Sequence, residues 1–402
     1  MRPLFKSLIL SVLMVLCGVI TVQALESEAP VIALSNNAIY AVSPHDGTSR
    51  LLVERDAVQD AALDQLYVNS TLSLSPISPD GTKFAYIAPL YEILDPAFAS
   101  EVAQTSQIRP TDITLVDIAS GTQTPITRQG ATFAEAVAQH KLETFSNLLW
   151  SVDGQRLYFE TTIESLRNRV PQTMIEYYDL KSGERRVLLR LNAHTQLMGI
   201  YALVEGLVTL VHTDNDIAFE FTLYDDVGTV LSVVNQSLPD WMGSTNSTMF
   251  TMNPVFQADA YWYGYYGRES QGVIPSLLNT ATGETSVLVE GLYPAFISHA
   301  HAATSLRIVQ VDPYGQETIW EVADAEGHLM SDMSLKGVVL QSEIALSPRG
   351  DTIAFLKPGS DYGTPVSIVL MDAKGKRELD FKATQIQWGA IDYTFSAAES
   401  EG

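Results

Sequence analysis

Asp117-Ile-Ala-Ser-Gly121 follows an apolar stretch and precedes a second short stretch of strand-forming residues. The same succession of strand, polar residue, turn glycine and strand occurs seven times, at Gly47, Gly121, Gly183, Gly228, Gly283, Gly327 and Gly375. From Gly121 onward these glycines are roughly 45–60 residues apart, close to the repeat length of four-stranded propeller blades. The repeat therefore predicts a β-propeller.

A second turn motif alternates with these glycine turns. It occurs as Ser78-Pro-Asp-Gly81, as Ser151-Val-Asp-Gly154 and as Ser347-Pro-Arg-Gly350, and each copy precedes an alternating strand pattern. Proline presets φ, aspartate caps the turn and glycine accepts a positive φ. One repeat then contains four antiparallel strands, which is a propeller blade. We predict an all-β fold, a β-propeller of four-stranded antiparallel blades, with seven blades and with six or eight as alternatives.

The two ends of the chain each carry part of a repeat. Residues 30–55 contain only an outer half, and residues 385–395 contain the strand pattern of an inner half. Pairing of these N- and C-terminal strands would close the ring and leave no unpaired sheet edge. We therefore expect one propeller domain, residues 25–395, followed by an acidic, flexible tail at 396–402. Ala131–Glu143 interrupts the strand pattern with a helix-forming composition.

The N-terminus has the pattern of an export signal. Arg2 and Lys6 precede an apolar run from Leu8 to Val22, and Ala24 ends a Val-Gln-Ala sequence of the kind that signal peptidase cleaves. The run has about 15 residues, whereas a spanning helix needs about 20. Residues 1–24 are therefore interpreted as a signal peptide. The expected location is extracytoplasmic, either secreted or periplasmic, and an uncleaved anchor is the competing interpretation.

Cysteine content and charge exclude several functions. Cys17, the only cysteine, follows Leu16 and lies inside the apolar run, a context that disfavours lipoprotein anchoring. After cleavage, disulfides, thiol catalysis and cysteine–zinc sites are excluded. Asp and Glu outnumber Lys and Arg by 47 to 24, and the net charge of −23 repels phosphate backbones and anionic lipid. We expect no nucleic-acid partner and no membrane span beyond the signal.

The two turn motifs resemble the repeats of TolB-like, or WD-type, β-propellers. They are similar to the propeller repeats of the prolyl oligopeptidase family as well. The similarity extends over about residues 30–395 and is strongest at 72–130, 144–192 and 338–382. Family peptidases add a hydrolase domain with a Gly-x-Ser-x-Gly elbow, and this chain contains no such sequence. The resemblance therefore implies a propeller. The missing elbow sequence excludes serine peptidase activity.

Histidines and acidic pairs are the first candidates for ligand chemistry. His299 and His301 would lie on one face of a strand and could begin a metal site if a neighbouring blade supplied a carboxylate. The alternative is a half-exposed strand at a blade entrance. Asp214-Asn-Asp216 and Asp225-Asp226 lack the spacing of a calcium loop, so we interpret both as hairpin turns. No metal and no cofactor is assigned.

An aromatic run is the candidate ligand-binding segment. Its members are Tyr261, Trp262, Tyr263, Tyr265 and Tyr266, with Gly264 between them. Such a surface could stack on sugar rings or hold a peptide. Aromatic residues that fill the space between blades are the alternative.

These observations favour a non-catalytic function. We interpret the chain as an exported, monomeric propeller that serves as a binding scaffold for a protein or peptide, with no catalytic residue assigned. A carbohydrate-active hydrolase or lyase that uses carboxylates at the channel mouth is the alternative, because a propeller can bring distant acidic residues together there. A small-ligand sensor would require a closed pocket in the channel.

Overall fold

The computed structural model describes the chain in segments. These are residues 29–54, 72–89, 111–129, 141–165, 171–192, 196–203, 206–213, 218–237, 251–254, 260–266, 273–279, 285–287, 307–310, 319–323, 329–336, 344–357 and 364–389. All regular structure in these segments is β-strand. Accordingly, no helix in this part of the chain is long and apolar enough to cross a membrane.

The described residues form 27 strands. The first eleven are β1 (Val31–Ser35), β2 (Ala38–Val42), β3 (Ser49–Glu54), β4 (Ser73–Leu74), β5 (Lys83–Pro89), β6 (Thr111–Asp117), β7 (Gln123–Pro125), β8 (Lys141–Trp150), β9 (Arg156–Ser165), β10 (Gln172–Asp179) and β11 (Glu184–Arg190). The next eight are β12 (Gln196–Leu203), β13 (Gly206–Thr213), β14 (Ala218–Tyr224), β15 (Val230–Ser237), β16 (Thr251–Pro254), β17 (Ala260–Tyr266), β18 (Val273–Asn279) and β19 (Thr285–Val287). The last eight are β20 (Arg307–Gln310), β21 (Ile319–Ala323), β22 (Leu329–Lys336), β23 (Ile344–Leu346), β24 (Thr352–Leu356), β25 (Val366–Asp372), β26 (Gly375–Ala383) and β27 (Gln385–Trp388).

Within the described segments these strands form seven antiparallel sheets. Sheet I has the order β27-β1-β2-β3, and the others follow the chain: sheet II (β4–β7), sheet III (β8–β11), sheet IV (β12–β15), sheet V (β16–β19), sheet VI (β20–β22) and sheet VII (β23–β26). Six of the sheets have four strands, and sheet VI has three described strands. Consecutive four-stranded antiparallel sheets have the topology of propeller blades. The predicted all-β class and the four-stranded antiparallel units are confirmed.

Serine-capped turns join the first two strands of sheets II, III and VII. In sheet II the N–H group of Gly81 donates to the carbonyl oxygen of Ser78 at 2.7 Å, and Gly81 has a φ of 71°. The hydroxyl of Ser78 accepts the N–H group of Lys83 at 2.9 Å, and Asp80 accepts that of Thr82 at 3.1 Å. The turn motif therefore satisfies its own backbone donors, which is why the serine and aspartate recur.

Aspartate-capped glycine turns join the last two strands of several sheets. In sheet III the N–H group of Gly183 donates to the carbonyl oxygen of Asp179 at 2.8 Å, and the carboxylate of Asp179 accepts the N–H group of Ser182 at 2.7 Å. Asp225 makes the same kind of turn between β14 and β15, which confirms the hairpin interpretation of that residue. Because the strands are antiparallel, both kinds of turn lie at one end of each sheet, called here the turn end.

Sheet I packs against two other sheets through the two faces of β1. Val31 and Ala33 belong to an apolar cluster with sheet VII, whereas Ile32 and Leu34 belong to a cluster with sheet II. All five residues of β1 are buried. A strand covered on both faces has a continuous apolar sequence instead of an alternating one. Further clusters join sheet II to sheet III and sheet III to sheet IV.

Two tryptophans make equivalent contacts between first strands of neighbouring sheets. Nε1 of Trp150, at the end of β8, donates to the carbonyl oxygen of Pro76 in sheet II at 2.7 Å. Nε1 of Trp388, at the end of β27, donates to the carbonyl oxygen of Ala345 in sheet VII at 2.9 Å. Both side chains are buried, so each donor is satisfied while its ring fills the space between two sheets. The repeated contact shows that sheets I and VII pack as sheets III and II do.

Sheet I contains both ends of the described chain. Val31 of β1 is opposite Trp388 of β27, and the N–H group of Gly389 donates to the carbonyl oxygen of Pro30 at 2.8 Å. The N-terminal segment supplies three strands because Asn36 and Asn37, with φ values of 46° and 64°, turn β1 into β2. The two terminal segments therefore pair, as expected. The N-terminal segment supplies three strands of sheet I and the C-terminal segment one, whereas two from each were predicted.

Candidate functional site

The residues singled out in the sequence do not form a described site. Tyr261, Trp262, Tyr263, Tyr265 and Tyr266 belong to β17, which pairs with β16 and β18. The candidate histidines at positions 299 and 301 lie outside the described residues. In the part of the chain that the structure describes, no group of three or more His, Cys, Asp or Glu side chains could hold a metal ion.

An open pocket lies where sheets I and VII meet at the turn end. About 410 Å³ of empty space, part of it open to solvent, lies within this pocket. In sheets II, III and VII this end carries the turn between the first and second strands. In sheet I that turn is absent, because β27 ends and β1 begins there. We call this cavity the seam pocket. Its polar lining consists of Ser347, Arg349, Asp351, Thr352 and Arg377.

Arg349 enters the lining through a change in the serine turn. In sheets II and III the third position of the turn is an aspartate, Asp80 or Asp153, that accepts the serine hydroxyl. In sheet VII that position is Arg349, and Asp351 accepts the hydroxyl of Ser347 at 2.8 Å instead. In this turn the capping carboxylate therefore follows the glycine instead of preceding it, and the turn is still capped. The third position of the turn is then occupied by Arg349, whose side chain lines the pocket.

Arg377 supplies the second cation of the seam pocket. It lies on β26 opposite Leu370, which is buried in the cluster between sheets I and VII, so Arg377 is on the face toward sheet I. Both Arg349 and Arg377 are exposed. Among the described residues neither of these two side chains makes a hydrogen bond or an ion pair. With Asp351 as the one carboxylate, the lining carries a single net positive charge in a chain whose net charge is −23.

The remaining lining of the seam pocket is apolar. It consists of Ala29, Pro44, Pro348 and Trp388. Trp388 is only 6% exposed and is fixed by its hydrogen bond to Ala345 and by packing against both sheets. Pro44 belongs to the turn between β2 and β3 and is buried as well. The pocket therefore has a fixed apolar wall beside two exposed cationic side chains.

The two guanidinium groups are suited to binding an anion. Arginine stays protonated at any physiological pH, so neither guanidinium can act as a general base. Its planar array of N–H donors matches the two oxygens of a carboxylate. A neighbouring tryptophan and two prolines favour apolar groups on either side of such an anion. The seam pocket can hold an anionic group that carries apolar neighbours.

A second charged cluster lies on the face of sheet III toward sheet II, and its charged groups pair with one another. Glu176 of β10 is 4% exposed and accepts hydrogen bonds from Thr161 and from Arg185. Arg185 also donates to Glu143 at 3.0 Å. Burial acts to lower the pKa of Arg185, but the hydrogen bond with Glu176 and the charges of both carboxylates outweigh it and raise that pKa. These charges pair with one another, and all of these residues belong to sheet III, so the cluster ties the strands of that sheet together.

A bulge on β8, the first strand of sheet III, contacts the carboxylate of Glu160. The pairing of β8 with β9 is interrupted between Ser146 and Leu149, and Asn147 has a φ of 53°. Nδ2 of Asn147 donates to Glu160 at 2.6 Å, and the hydroxyl of Ser146 donates to it at 3.1 Å. Glycoside hydrolysis ordinarily uses two carboxylates that flank the scissile bond. This bulge supplies one, and its own sheet holds it.

Sequence reasoning missed the seam pocket, although one signal for it was present. Arg349 and Arg377 belong to sheet VII, whereas Trp388 belongs to β27 in sheet I, so the pocket forms only where these two sheets pack together. The visible signal was Arg349 in a position where the sister motifs have aspartate. Where one copy of a repeated structural motif has a different residue, the fold does not require a particular residue type at that position.

Comparisons with known proteins give structural similarity only. No family model matches the sequence, and no curated protein matches it. Among solved structures, the chain is similar to TolB from Acinetobacter baumannii, with 13% identity, a TM-score of 0.42, and coverage of 84% of this chain and 88% of that chain. It is similar to an oligogalacturonate lyase from Vibrio parahaemolyticus, with 12% identity, a TM-score of 0.42, and coverage of 83% of each chain.

A third similar structure is prolyl oligopeptidase B from Galerina marginata. The identity is 12% and the TM-score is 0.48, with coverage of 89% of this chain and 51% of that chain. Both kinds of protein named in the sequence resemblance are thus among the structures to which this chain is similar.

Proposed function

We propose that the protein is an exported, monomeric, seven-bladed β-propeller that serves as a non-catalytic scaffold for a protein or peptide. The ring closes through the pairing of β27 with β1. Residues 1–24 act as a cleaved signal peptide, and residues 396–402 form an acidic tail.

The ring is supported by the order in which the sheets pack. Sheet I packs against sheet VII on one face and against sheet II on the other, and the series continues through sheets III and IV. First strands of neighbouring sheets are in contact as well: β8 with β12, β12 with β16, and β23 with β27. Seven sheets in the described residues match the seven glycine turns of the sequence. These contacts support a ring of blades.

The binding function is carried by the seam pocket. It combines two exposed guanidinium groups, which lack partners among the described residues, with a fixed apolar wall that includes Trp388. Both arginines are exposed and line this pocket. Charged groups that face a pocket without a structural partner are typical of binding sites.

Peptide display tests the binding function directly. A library of random dodecapeptides would be panned against the immobilised full chain without its leader, and enriched peptides would be measured by isothermal titration calorimetry. We expect binders that lose affinity for the double variant Arg349→Ala/Arg377→Ala. The variant Lys376→Ala is the matched control, because Lys376 is an exposed neighbour of Arg377 on β26 and is not part of the pocket lining.

Two results would contradict the scaffold. Panning that enriches no peptide would remove the binding function. Release of reducing or unsaturated sugars from polygalacturonate, xylan or chitin by the purified chain would establish the carbohydrate-active alternative. Export is tested separately by mass spectrometry of protein from the extracytoplasmic fraction. We expect an N-terminus near Leu25, and an intact Met1 would indicate an uncleaved anchor.

A further inference from the structure

We infer that the seam pocket recognises the carboxylate of an aspartate or glutamate side chain within an extended peptide, with apolar residues on both sides of that acid. The inference rests on the proposed binding function and specifies its ligand. Arg349 and Arg377 are assigned to the carboxylate, and Pro44, Pro348 and Trp388 to the flanking residues.

The first step of the argument is the release of Arg349 from the turn. The sister turns at Ser78 and Ser151 use an aspartate in this position for their cap. Sheet VII caps the same turn with Asp351 and still hydrogen-bonds the N–H group of Thr352 to the hydroxyl of Ser347 at 3.1 Å. The fold therefore does not require an arginine in this turn. What the arginine adds is a cation beside the pocket.

The second step is the charge of the lining. Two guanidinium groups and the carboxylate of Asp351 leave one net positive charge, which one carboxylate neutralises. A doubly charged phosphate would leave an excess negative charge beside Asp351. Extended polyanions are repelled further by the net charge of −23 over the whole chain. A short peptide with a single acidic residue matches both the local and the long-range charge.

The third step is the shape and chemistry of the rim. The prolines Pro44 and Pro348 come from turns of two different sheets and lie on the pocket with Trp388. Trp388 cannot turn away, because its indole N–H is bonded to Ala345 and its ring is buried. The missing turn of sheet I leaves this end open to an extended chain. Pro44 and Trp388 are buried and form the fixed base of the pocket, whereas Pro348 is partly exposed and can contact an apolar neighbour of the acidic side chain that enters.

Defined peptides test the inference. The peptide Ala-Pro-Glu-Pro-Ala-amide, with rhodamine coupled to its N-terminal amine, and its Gln and Lys counterparts would be titrated with the full chain, and fluorescence anisotropy would be measured. We expect the Glu peptide to bind at least about tenfold more tightly than the Gln peptide, because hydrogen bonds to a charged group are stronger than those to a neutral one. The Lys peptide is expected to bind more weakly than either. Raising NaCl from ~50 mM to ~500 mM is expected to weaken the Glu peptide selectively.

Arginine variants locate the interaction. Arg349→Ala and Arg377→Ala are each expected to remove the preference for Glu over Gln, whereas Lys376→Ala is expected to keep it. Arg349→Asp, which restores the sister motif, is expected to abolish binding of the Glu peptide. Thermal melts of all variants should match the parent chain, since both arginines are exposed and lack partners among the described residues.

The outcomes separate this inference from the proposed function. If the panned peptides require Arg349 and Arg377 but contain no excess of Asp or Glu, and Glu and Gln peptides bind equally, the carboxylate assignment is wrong and the scaffold stands. If acidic peptides bind but the arginine variants retain the preference, the assignment to this pocket is wrong. If neither the library nor the defined peptides bind, the proposed function itself fails.

Discussion

Pro30 and Gly389 are joined by a hydrogen bond of 2.8 Å from the N–H group of Gly389 to the carbonyl oxygen of Pro30. The two residues are at opposite ends of the described chain, and each flanks a strand of sheet I. Beyond this bond, β27 pairs with β1 over four residue pairs, from Val31 opposite Trp388 to Leu34 opposite Gln385. Structure that depends on this contact cannot form until both ends of the chain are available.

Removal of residues 383–402 is predicted to abolish cooperative unfolding. The deletion removes β27, exposes an edge of β1, and takes Ile386 and Trp388 out of the cluster between sheets I and VII. Loss of one buried tryptophan alone typically costs about 3–5 kcal/mol. Thermal unfolding followed by circular dichroism measures the effect, and deletion of 396–402 alone is the control. A sharp transition in the longer deletion would show that closure through β27 is not needed.

The architecture could be predicted from sequence because its signals are local. The turns at Ser78, Ser151 and Ser347 carry their own caps, so a short segment reports its own conformation. The strand β1 was missed because both of its faces are buried, which removes the alternating pattern. Ala131–Glu143 has a helix-forming composition, but its last three residues belong to a strand, since β8 begins at Lys141. Residues 131–140 lie outside the described residues.

The seam pocket could not be predicted in the same way because its parts are far apart in the chain. Pro44, Arg349 and Trp388 become neighbours only through the pairing of the terminal strands. The aromatic run Tyr261–Tyr266 was chosen for its density within one segment, and it lies in β17; its role in binding stays a prediction. Local patterns thus predicted strands and turns, whereas the site depends on contacts between distant segments.

Arg185 and Arg186 are predicted to differ sharply in their effect on stability. Arg185→Met leaves the buried carboxylate of Glu176 without its cation, and breaking a buried ion pair typically costs about 3–5 kcal/mol. Arg186→Met removes an exposed pair with Glu184, so we expect almost no change in stability. Urea denaturation of both variants measures the free energy of unfolding. The two substitutions are adjacent and chemically identical, which makes each the control for the other.

A double variant distinguishes loss of the ion pair from loss of arginine packing. The guanidinium of Arg185 lies 5.1 Å from the ring centre of Phe145 and 5.7 Å from that of Phe159, so its removal also removes contacts. Arg185→Met/Glu176→Gln is expected to be more stable than Arg185→Met alone, because no buried charge remains unpaired. Equal stability of the single and double variants would indicate that packing, and not charge, accounts for the loss.

Gly206 is predicted to be the least replaceable glycine of the described turns. It begins β13 with a φ of 150°, and a Cβ atom added there would lie 2.0 Å from the carbonyl oxygen of Tyr224. Gly375 also has a positive φ, 129°, but an added Cβ would meet no atom within 4 Å. We expect Gly375→Ala to cost about 1–2 kcal/mol from backbone strain. Gly206→Ala is expected to cost more than about 4 kcal/mol, or to prevent folding. Similar melting temperatures for both variants would contradict this difference.

The aspartate-capped turns predict a loss of stability in acid. The carboxylate of Asp225 accepts the backbone N–H groups of Thr229 and Val227 at 2.7 and 3.0 Å, and these bonds lower its pKa below the ordinary value. The pKa of Asp179 is lowered in the same way by the N–H group of Ser182. A carboxyl whose pKa is lower in the folded chain binds its proton more tightly when unfolded. Its contribution to stability is therefore complete above the unfolded pKa of about 3.9 and is lost as the pH falls through the folded value.

The variant Asp225→Asn measures this contribution at one turn. Asparagine can still accept one hydrogen bond but carries no charge, so the variant should melt below the parent chain at about pH 7. At an acid pH below the lowered pKa of Asp225 the parent carboxyl is protonated too, and the two melting temperatures should converge. The comparison uses differential scanning calorimetry of the same two proteins at both pH values, so general effects of acid on the chain cancel. A difference that stays constant with pH would mean that the charge of Asp225 does not stabilise the turn.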